Sequence, residues 1–152
     1  DLMIHDIDII LHIVKSDIKE MRVSGTPVLT QSTDIANARI EFENGCVANV
    51  TASRVSAKTE RKMRIFQDDA YIAVDFHNRE LDIYRKGEKE MHPGIPEIVN
   101  EKSTYDDSDA LKLEISAFLD SIHHGTPILV SGEDGRRALD AAIRISGMLK
   151  DK

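Results

Sequence analysis

Residues 36–55 read ANARIEFENGCVANVTASRV, and this stretch decides the fold. Apolar and polar residues alternate up to Phe42, which is the period of a β-strand with one buried face. The Asn-Gly dipeptide at 44–45 then predicts a two-residue type I′ turn, and Cys46–Val55 forms the return strand. In that register Phe42 faces Val47 across the two strands. The stretch therefore predicts a β-hairpin.

Further strands lie on either side of this hairpin, because alternating segments are separated by turn residues. They are predicted at Ile18–Val28, Lys62–Gln67, Ala70–Phe76 and Arg79–Tyr84. Helical periodicity predicts one helix before these strands, ending near Lys15 or Ser16, and two after them. The apolar face of the first closing helix is predicted to contain Leu111, Ile115, Phe118, Leu119 and Ile122. The last helix is predicted to begin with a capping box of Ser131 and Asp134 and to bury Leu139, Ala142, Ile143, Ser146 and Leu149. Residues 86–107 contain glycines and prolines with little periodicity and are predicted to be a long loop. The pattern predicts an α+β fold with an open, mainly antiparallel sheet and helices packed on one face.

Composition narrows the function classes. The chain has 152 residues, is 41% hydrophobic and carries a net charge of −7, as expected for one soluble domain. The negative charge argues against binding to nucleic acid or to an anionic membrane. A single cysteine, Cys46, and the lack of a long apolar run predict a cytoplasmic protein. Because the chain begins at Asp1 without a Met or a signal peptide, we expect it to be a piece of a longer protein.

The first segment carries four ionisable residues among apolar ones: Asp1, His5, Asp8 and His12. On a helix these positions fall within roughly 60° of one another, so they form one narrow stripe. The stripe has three interpretations. It is the water-facing side of an amphipathic helix; it is a general acid or base, His5, oriented by Asp1, with Asp8 on a substrate hydroxyl; or it is a set of metal ligands.

Other chemistry finds less support in the sequence. The eight glycines form neither a GxGxxG dinucleotide fingerprint nor a phosphate-binding Walker loop, and no GxSxG nucleophile elbow occurs. A basic run contains Arg54, Lys58, Arg61, Lys62 and Arg64. It either binds a phosphate or carboxylate or protects a solvated edge strand against aggregation.

The run from Asp1 to Asp8 resembles the D-x-x-x-H-[DE]-I-D signature of the glucose-fructose oxidoreductase and inositol dehydrogenase (Gfo/Idh/MocA) family. The Asn-Gly hairpin, the Ala-Ser-Arg strand end at 52–54 and the closing run 127–135 are similar to the C-terminal domain of that family. The resemblance implies a glyceraldehyde-3-phosphate-dehydrogenase-like C-terminal domain over residues 1–152. It also implies that an N-terminal dinucleotide-binding Rossmann domain is missing from this chain.

In that family a hydride passes between a sugar or polyol carbon and the nicotinamide of NAD or NADP. The resemblance implies that His5 and Asp1 are catalytic and that Asp8 contacts substrate, and we expect Arg54 to bind substrate as well. The basic run favours a phosphorylated or nucleotide-linked sugar. Without the Rossmann domain and its Glu-Lys-Pro motif, the chain alone is expected to be inactive.

A non-catalytic module is the alternative from another class. In that case the sheet pairs subunits through a face formed by Cys46, Ala48, Val50 and Ala52, while the stripe is merely hydrated. A homo-oligomer through the open sheet face is expected under either hypothesis.

Overall fold

The computed structural model describes residues 3–106 and 109–150. Within these residues the elements follow in the order α1 (Ile4–Val14), β1 (Ile18–Thr26), β2 (Ile35–Phe42), β3 (Val47–Ser53), β4 (Lys62–Phe66), β5 (Ala70–Asp75), β6 (Glu80–His92), β7 (Ile95–Thr104), α2 (Ala110–His124) and α3 (Gly132–Lys150). Every strand pairs antiparallel with its neighbour in sequence. The predicted α+β class is confirmed.

The strands divide into two sheets where the sequence predicted one. One sheet has the order β1-β2-β3 and the other β4-β5-β6-β7. The chain correspondingly forms two compact units, one of residues 1–57 and 117–152 and the other of residues 58–116. None of the described helices is both long and apolar enough to cross a membrane.

The core of the first unit lies between the three-stranded sheet and the helices α1 and α3. Its most deeply buried side chains are Ile7 of α1 and Ile40 and Phe42 of β2, at most 1% exposed. Each contributes about 1.5–3 kcal/mol of hydrophobic stabilisation. From α3 the small residues Ala138 and Ala141 are buried in the same core, which lets α3 approach α1 closely.

The turn between β2 and β3 differs from the predicted one. Gly45 has φ 84°, its N–H donates to the carbonyl of Phe42 at 2.9 Å, and the N–H of Phe42 donates to the carbonyl of Cys46 at 2.9 Å. The loop therefore contains three residues and ends in a left-handed glycine, one residue more than a type I′ turn. Glu41 consequently pairs with Val47, so the predicted pairing of Phe42 with Val47 was wrong by one residue.

The face predicted to pair subunits is covered by helices. Val50 is buried, and Ala48 and Ala52 pack against the same core as α1 and α3. These three residues therefore cannot meet a second copy, and the predicted interface is wrong for them. Cys46, assigned to the same face, is exposed and lies in the turn.

In the second unit, β6 and β7 extend beyond the rest of the sheet. Only Glu80–Arg85 of β6 pairs with β5, and the remainder pairs with β7 alone. The prediction of a loop over 86–107 was therefore wrong, because most of that segment is a two-stranded extension. Apolar and polar residues do not alternate in this extension because neither of its faces is buried. Met91 is 67% exposed and Ile98 is 68% exposed.

Both closing helices form where the sequence predicts them. None of the described residues of α2 is buried, although its predicted apolar face is present. In α3, Ala138, Ala141 and Ile145 are buried, whereas the predicted Leu139 and Ile143 are exposed. The predicted face was therefore rotated by about one residue, because large side chains were favoured over the small ones that close packing requires.

We predict that Gly25→Ala destabilises the first unit. A Cβ at Gly25 would lie 2.7 Å from Leu149 Cδ2, 2.7 Å from Thr33 Cγ2 and 3.0 Å from the carbonyl oxygen of Ile35. Such overpacking should lower the free energy of unfolding by about 1–3 kcal/mol, as measured by urea denaturation.

Gly147→Ala is the matched control. Gly147 lies within α3, and among the described residues no atom of a neighbouring segment lies within 4 Å of an added Cβ. Alanine there should raise the free energy of unfolding by about 0.5–1 kcal/mol through helix propensity. If both variants were stabilised, the close contact between β1 and α3 would be refuted.

Candidate functional site

The predicted stripe lies on the outer side of α1. His5 in the first turn and His12 in the last are exposed, and Asp8 between them is half-buried. Ile7, on the opposite side, is 1% exposed. Asp1 lies outside the described residues. The helix therefore holds His5 on a rigid element with its imidazole accessible to a substrate.

The link between α1 and β1 fixes where His5 lies. Lys15 has φ 50°, and its N–H donates to the carbonyl of Leu11 at 3.2 Å, which closes the helix. The strand begins at Ile18, so the chain reverses direction within three residues. An 11-residue helix rises about 16 Å and a nine-residue strand about 30 Å. The strand β1 therefore leads from the far end of α1 back toward the end of the unit where His5 lies.

A further contact confirms this orientation. Asn44, in the β2–β3 turn, donates from Nδ2 to the carbonyl of Val14 at 3.3 Å, so that turn lies at the far end of α1 from His5. The opposite end of the hairpin, where β3 gives way to Arg54, is therefore on the His5 side. The structure thus brings two predicted site residues, His5 and Arg54, to the same end of the first unit.

Arg54 is held by the segment between β1 and β2. Its Nε donates to Asp34 Oδ1 at 2.6 Å and one terminal nitrogen donates to Thr30 Oγ1 at 2.7 Å and to Ser32 Oγ. The Asp34 side chain is fully buried and that of Arg54 is 45% exposed. The guanidinium therefore spends most of its donors on the protein, and the binding of Arg54 to substrate stays a prediction.

Asp34 organises the same segment. Its Oδ2 accepts backbone N–H bonds from Val28, Leu29 and Thr30 at 2.7–2.8 Å, and its Oδ1 accepts the Thr30 hydroxyl at 2.8 Å. Burial alone would raise the pKa of this carboxyl, but the hydrogen bonds outweigh burial and hold the pKa well below its usual range. Asp34 is therefore a carboxylate at every physiological pH.

Little in the amino-acid sequence predicts this arrangement. Hydroxyl residues at Thr30, Ser32 and Thr33 precede Asp34, and such residues form local side chain to backbone turns. That signal predicts a turn but not its partner, since Arg54 lies on another strand. The pairing depends on the β2–β3 register, with Ile35 opposite Ser53.

The remaining basic run is partly neutralised. Lys62 lies 3.7 Å from Glu60 and 3.5 Å from Asp75, and the guanidinium of Arg61 lies 4.8 Å from the ring centre of Phe76. These residues belong to the second compact unit, whereas Arg54 belongs to the first. The run is therefore not one continuous patch built on a single scaffold.

His12 has different surroundings from His5. It lines a groove of about 480 Å³ with Lys15, Asp134 and Arg137, among others. Cations and carboxylates both line this groove, so its field favours neither sign of ligand. Within the described ranges, no three His, Cys, Asp or Glu side chains are arranged to hold a metal ion, so the metal-ligand interpretation of the stripe gains no support.

The cap of α3, at the edge of that groove, forms as predicted. Ser131 donates from its hydroxyl to Asp134 Oδ2 at 2.6 Å and accepts the Asp134 N–H at 3.2 Å. This places the start of α3 beside the end of α1, and Leu149 near the end of α3 approaches Gly25. The two helices therefore run antiparallel.

Residues 1–73 match the family model described as the GFO/IDH/MocA C-terminal domain. This chain belongs to the GFO/IDH/MocA family. The matched range includes α1 with its histidine signature, the whole three-stranded sheet, and Arg54. The fold is thus that of a C-terminal domain of this family, and the roles of the stripe residues stay predictions.

Similar proteins include UDP-N-acetylglucosamine 3-dehydrogenase of Acidithiobacillus ferrooxidans, which is 41% identical over 145 residues, 95% of this chain and 46% of that protein. A solved structure of that enzyme superposes with a TM-score of 0.89 at 38% identity, covering 98% of this chain and 47% of the other. Levoglucosan dehydrogenase in complex with NADH and levoglucosan superposes with a TM-score of 0.80 at 15% identity, covering 99% and 47%, which shows a shared fold alone. The chain spans about half the length of these relatives.

We predict that the stabilisation from Asp34 depends on pH. Because the pKa of Asp34 is lower in the folded chain than the ordinary value of 3.8, the carboxylate stabilises the fold above that value and loses this effect as pH falls below it. Asp34→Asn should therefore lower the urea midpoint, and the decrease should be the same at every pH between 5 and 8. The difference from wild type should shrink below about pH 4.

Asp140→Asn serves as the control. Asp140 is exposed on α3 and, in the part of the chain that the structure describes, accepts no hydrogen bond. Its replacement should leave the urea midpoint nearly unchanged at each pH. A deficit for Asp34→Asn that persisted undiminished at pH 2 would contradict the role given to its charge.

Proposed function

We propose that this chain is the substrate-binding half of a nicotinamide-dependent dehydrogenase that oxidises a hydroxyl of a nucleotide-linked sugar. The observation that carries the proposal is the exposed His5 in the first turn of α1. It stands in the family signature of a chain that is 41% identical to a UDP-N-acetylglucosamine 3-dehydrogenase. A sugar hydroxyl is the group for which such an imidazole is suited as a general base.

The cofactor would be held chiefly outside this chain. The described residues offer no glycine-rich phosphate cradle, and the grooves of the first unit, of about 270, 350 and 480 Å³, are lined by residues other than His5. A dinucleotide-binding domain would therefore have to supply the second wall of the site. On this proposal the 152 residues alone bind substrate at most weakly and do not turn it over.

The reaction divides between the two halves. Oxidation of a secondary hydroxyl removes a proton from oxygen and a hydride from carbon and leaves a carbonyl. Bound NAD or NADP would supply the hydride acceptor. His5 takes the proton onto its imidazole, and Asp8, half-buried three residues away, orients the substrate through a hydroxyl. The signature assigns Asp1 as the partner that orients His5.

Two observations support a nucleotide sugar as the substrate. The relative that is 41% identical to this chain acts on UDP-N-acetylglucosamine. The WlbA dehydrogenase of Bordetella pertussis, solved with NADH and UDP-GlcNAcA, shares the fold with a TM-score of 0.68 at 10% identity.

We predict that His5→Ala abolishes most of the activity in the polypeptide that joins this chain to its cofactor-binding domain. Loss of a general base should lower kcat for UDP-N-acetylglucosamine about 10²–10⁴-fold. The KM for the cofactor should stay unchanged, since His5 is assigned to the reacting hydroxyl. Reduction of the nicotinamide, followed by its absorbance, measures both.

His12→Ala is the matched control, because His12 is also exposed on the same helix but lines a groove that does not include His5. Its activity should equal that of wild type. Full activity of the His5 variant, or equal losses in both variants, would refute the assignment of His5 as the base.

We also propose that the protein assembles as a homo-oligomer through the sheet faces that no helix covers. On the three-stranded sheet this face is polar, since Arg39 donates to Asn49 at 3.2 Å and Thr51 to Asn37 at 2.6 Å. Sedimentation analysis tests assembly, and thermal shift with UDP-N-acetylglucosamine tests binding by the joined polypeptide. An oligomer without any shift would favour the alternative, a purely structural module.

A further inference from the structure

The segment between β1 and β2 presents apolar side chains from a rigid backbone. Val28 is 56% and Leu29 78% exposed. Yet both of their backbone N–H groups donate to the buried carboxylate of Asp34, at 2.8 and 2.7 Å. A loop that merely joined two strands would need neither a buried charge nor exposed leucine at its tip. Ordering the loop therefore costs the free energy of burying the Asp34 carboxylate and of exposing apolar side chains, and its role as a connection does not explain this cost.

This loop lies at the His5 end of the first unit. The strand β1 leads away from the far end of α1, and the loop follows directly after Thr26. At the base of the loop, Gly25 lies close to Thr33 of the loop itself and to Leu149 of α3. Because α3 runs antiparallel to α1, its Leu149 end is also the end where His5 lies. Both connections place the loop at the end of the first unit where His5 lies.

We propose that residues 27–33 form a specificity loop of this dehydrogenase, in which Val28 and Leu29 contact an apolar part of the bound nucleotide sugar. Asp34 and Arg54 are positioning residues that act through the loop. The inference rests on the proposed function, because it assumes that a sugar hydroxyl binds at His5.

The geometry suits an elongated substrate. The loop lies at the same end of the unit as His5. On this proposal a substrate with a long substituent, held by its sugar at the imidazole, reaches the loop, whereas a small free sugar does not. Apolar side chains on a pre-ordered loop gain contact area without a further loss of backbone entropy. The loop therefore favours longer substrates over free sugars.

The hydrogen bonds of Arg54 explain why it acts through the loop and not as an ordinary substrate ligand. Its Nε and one terminal nitrogen bind Asp34, Thr30 and Ser32, across the neck of the loop. Its own N–H also donates to the carbonyl of Asp34 at 3.1 Å, which ties β3 to the start of β2. A planar guanidinium can hold three groups in fixed directions, which a lysine ammonium cannot.

Leu29→Ser in the joined polypeptide tests the contact. Leu29 is exposed, so the change should not disturb folding. The KM for UDP-N-acetylglucosamine should rise about tenfold while kcat and the KM for the cofactor change less than about twofold. An unchanged KM in an active enzyme would overturn the specificity loop and leave the proposed function intact.

Leu129→Ser is the matched control. Leu129 is 76% exposed and precedes the start of α3, at the opposite end of the unit. Its KM values should equal those of wild type, and an equal rise in both variants would also overturn the proposal. A wild-type polypeptide inactive on every nucleotide sugar and free sugar tested would instead refute the proposed function itself.

Arg54→Lys tests the positioning role through a double-mutant cycle. Alone it should raise the KM for substrate with kcat preserved, because the loop loses its fixed shape. Combined with Leu29→Ser it should add less than about twofold, since the contact it positions is already gone. Full multiplication of the two KM effects would show that Arg54 acts independently of the loop.

Discussion

Burial of one side of α1 is the constraint on which the first unit depends. Ile7 is packed against the sheet at 1% exposure, alongside Ile40 and Phe42. Because a helix of three turns cannot bury all of its circumference against one sheet and one neighbour, a narrow strip stays accessible. His5 and Asp8 occupy that strip. The same packing that stabilises the unit therefore sets the orientation of the imidazole.

Periodicity and local turn chemistry were enough to predict most of the elements, although they missed β7 and the outer half of β6. The stripe on α1, the hairpin around Gly45 and the capping box of Ser131 and Asp134 all depend on residues close together in sequence. Each has one dominant physical cause, such as a left-handed glycine or a hydroxyl that caps a helix. Prediction from sequence succeeds where one cause acts over a few residues.

Prediction failed where two solutions had similar local energies. An Asn-Gly pair fits both a two-residue and a three-residue turn, and the extra residue shifts the register of β3 by one. The choice follows from long-range contacts such as that of Asn44 with Val14. The partnership of Asp34 with Arg54 depends on that register, so no local pattern could have revealed it.

The first unit is discontinuous, and this has a consequence for how it forms. Its α1 and three strands come from residues 1–57, whereas α3 comes from 117–152. During synthesis the apolar sides of α1 and β2 therefore emerge well before the alanines of α3 that complete their core. The strands can pair early because their contacts are local, but α3 must close the core last. A ribosome that stalled within the second unit would leave Ile7 and its neighbours without α3, and such a chain would be prone to aggregate.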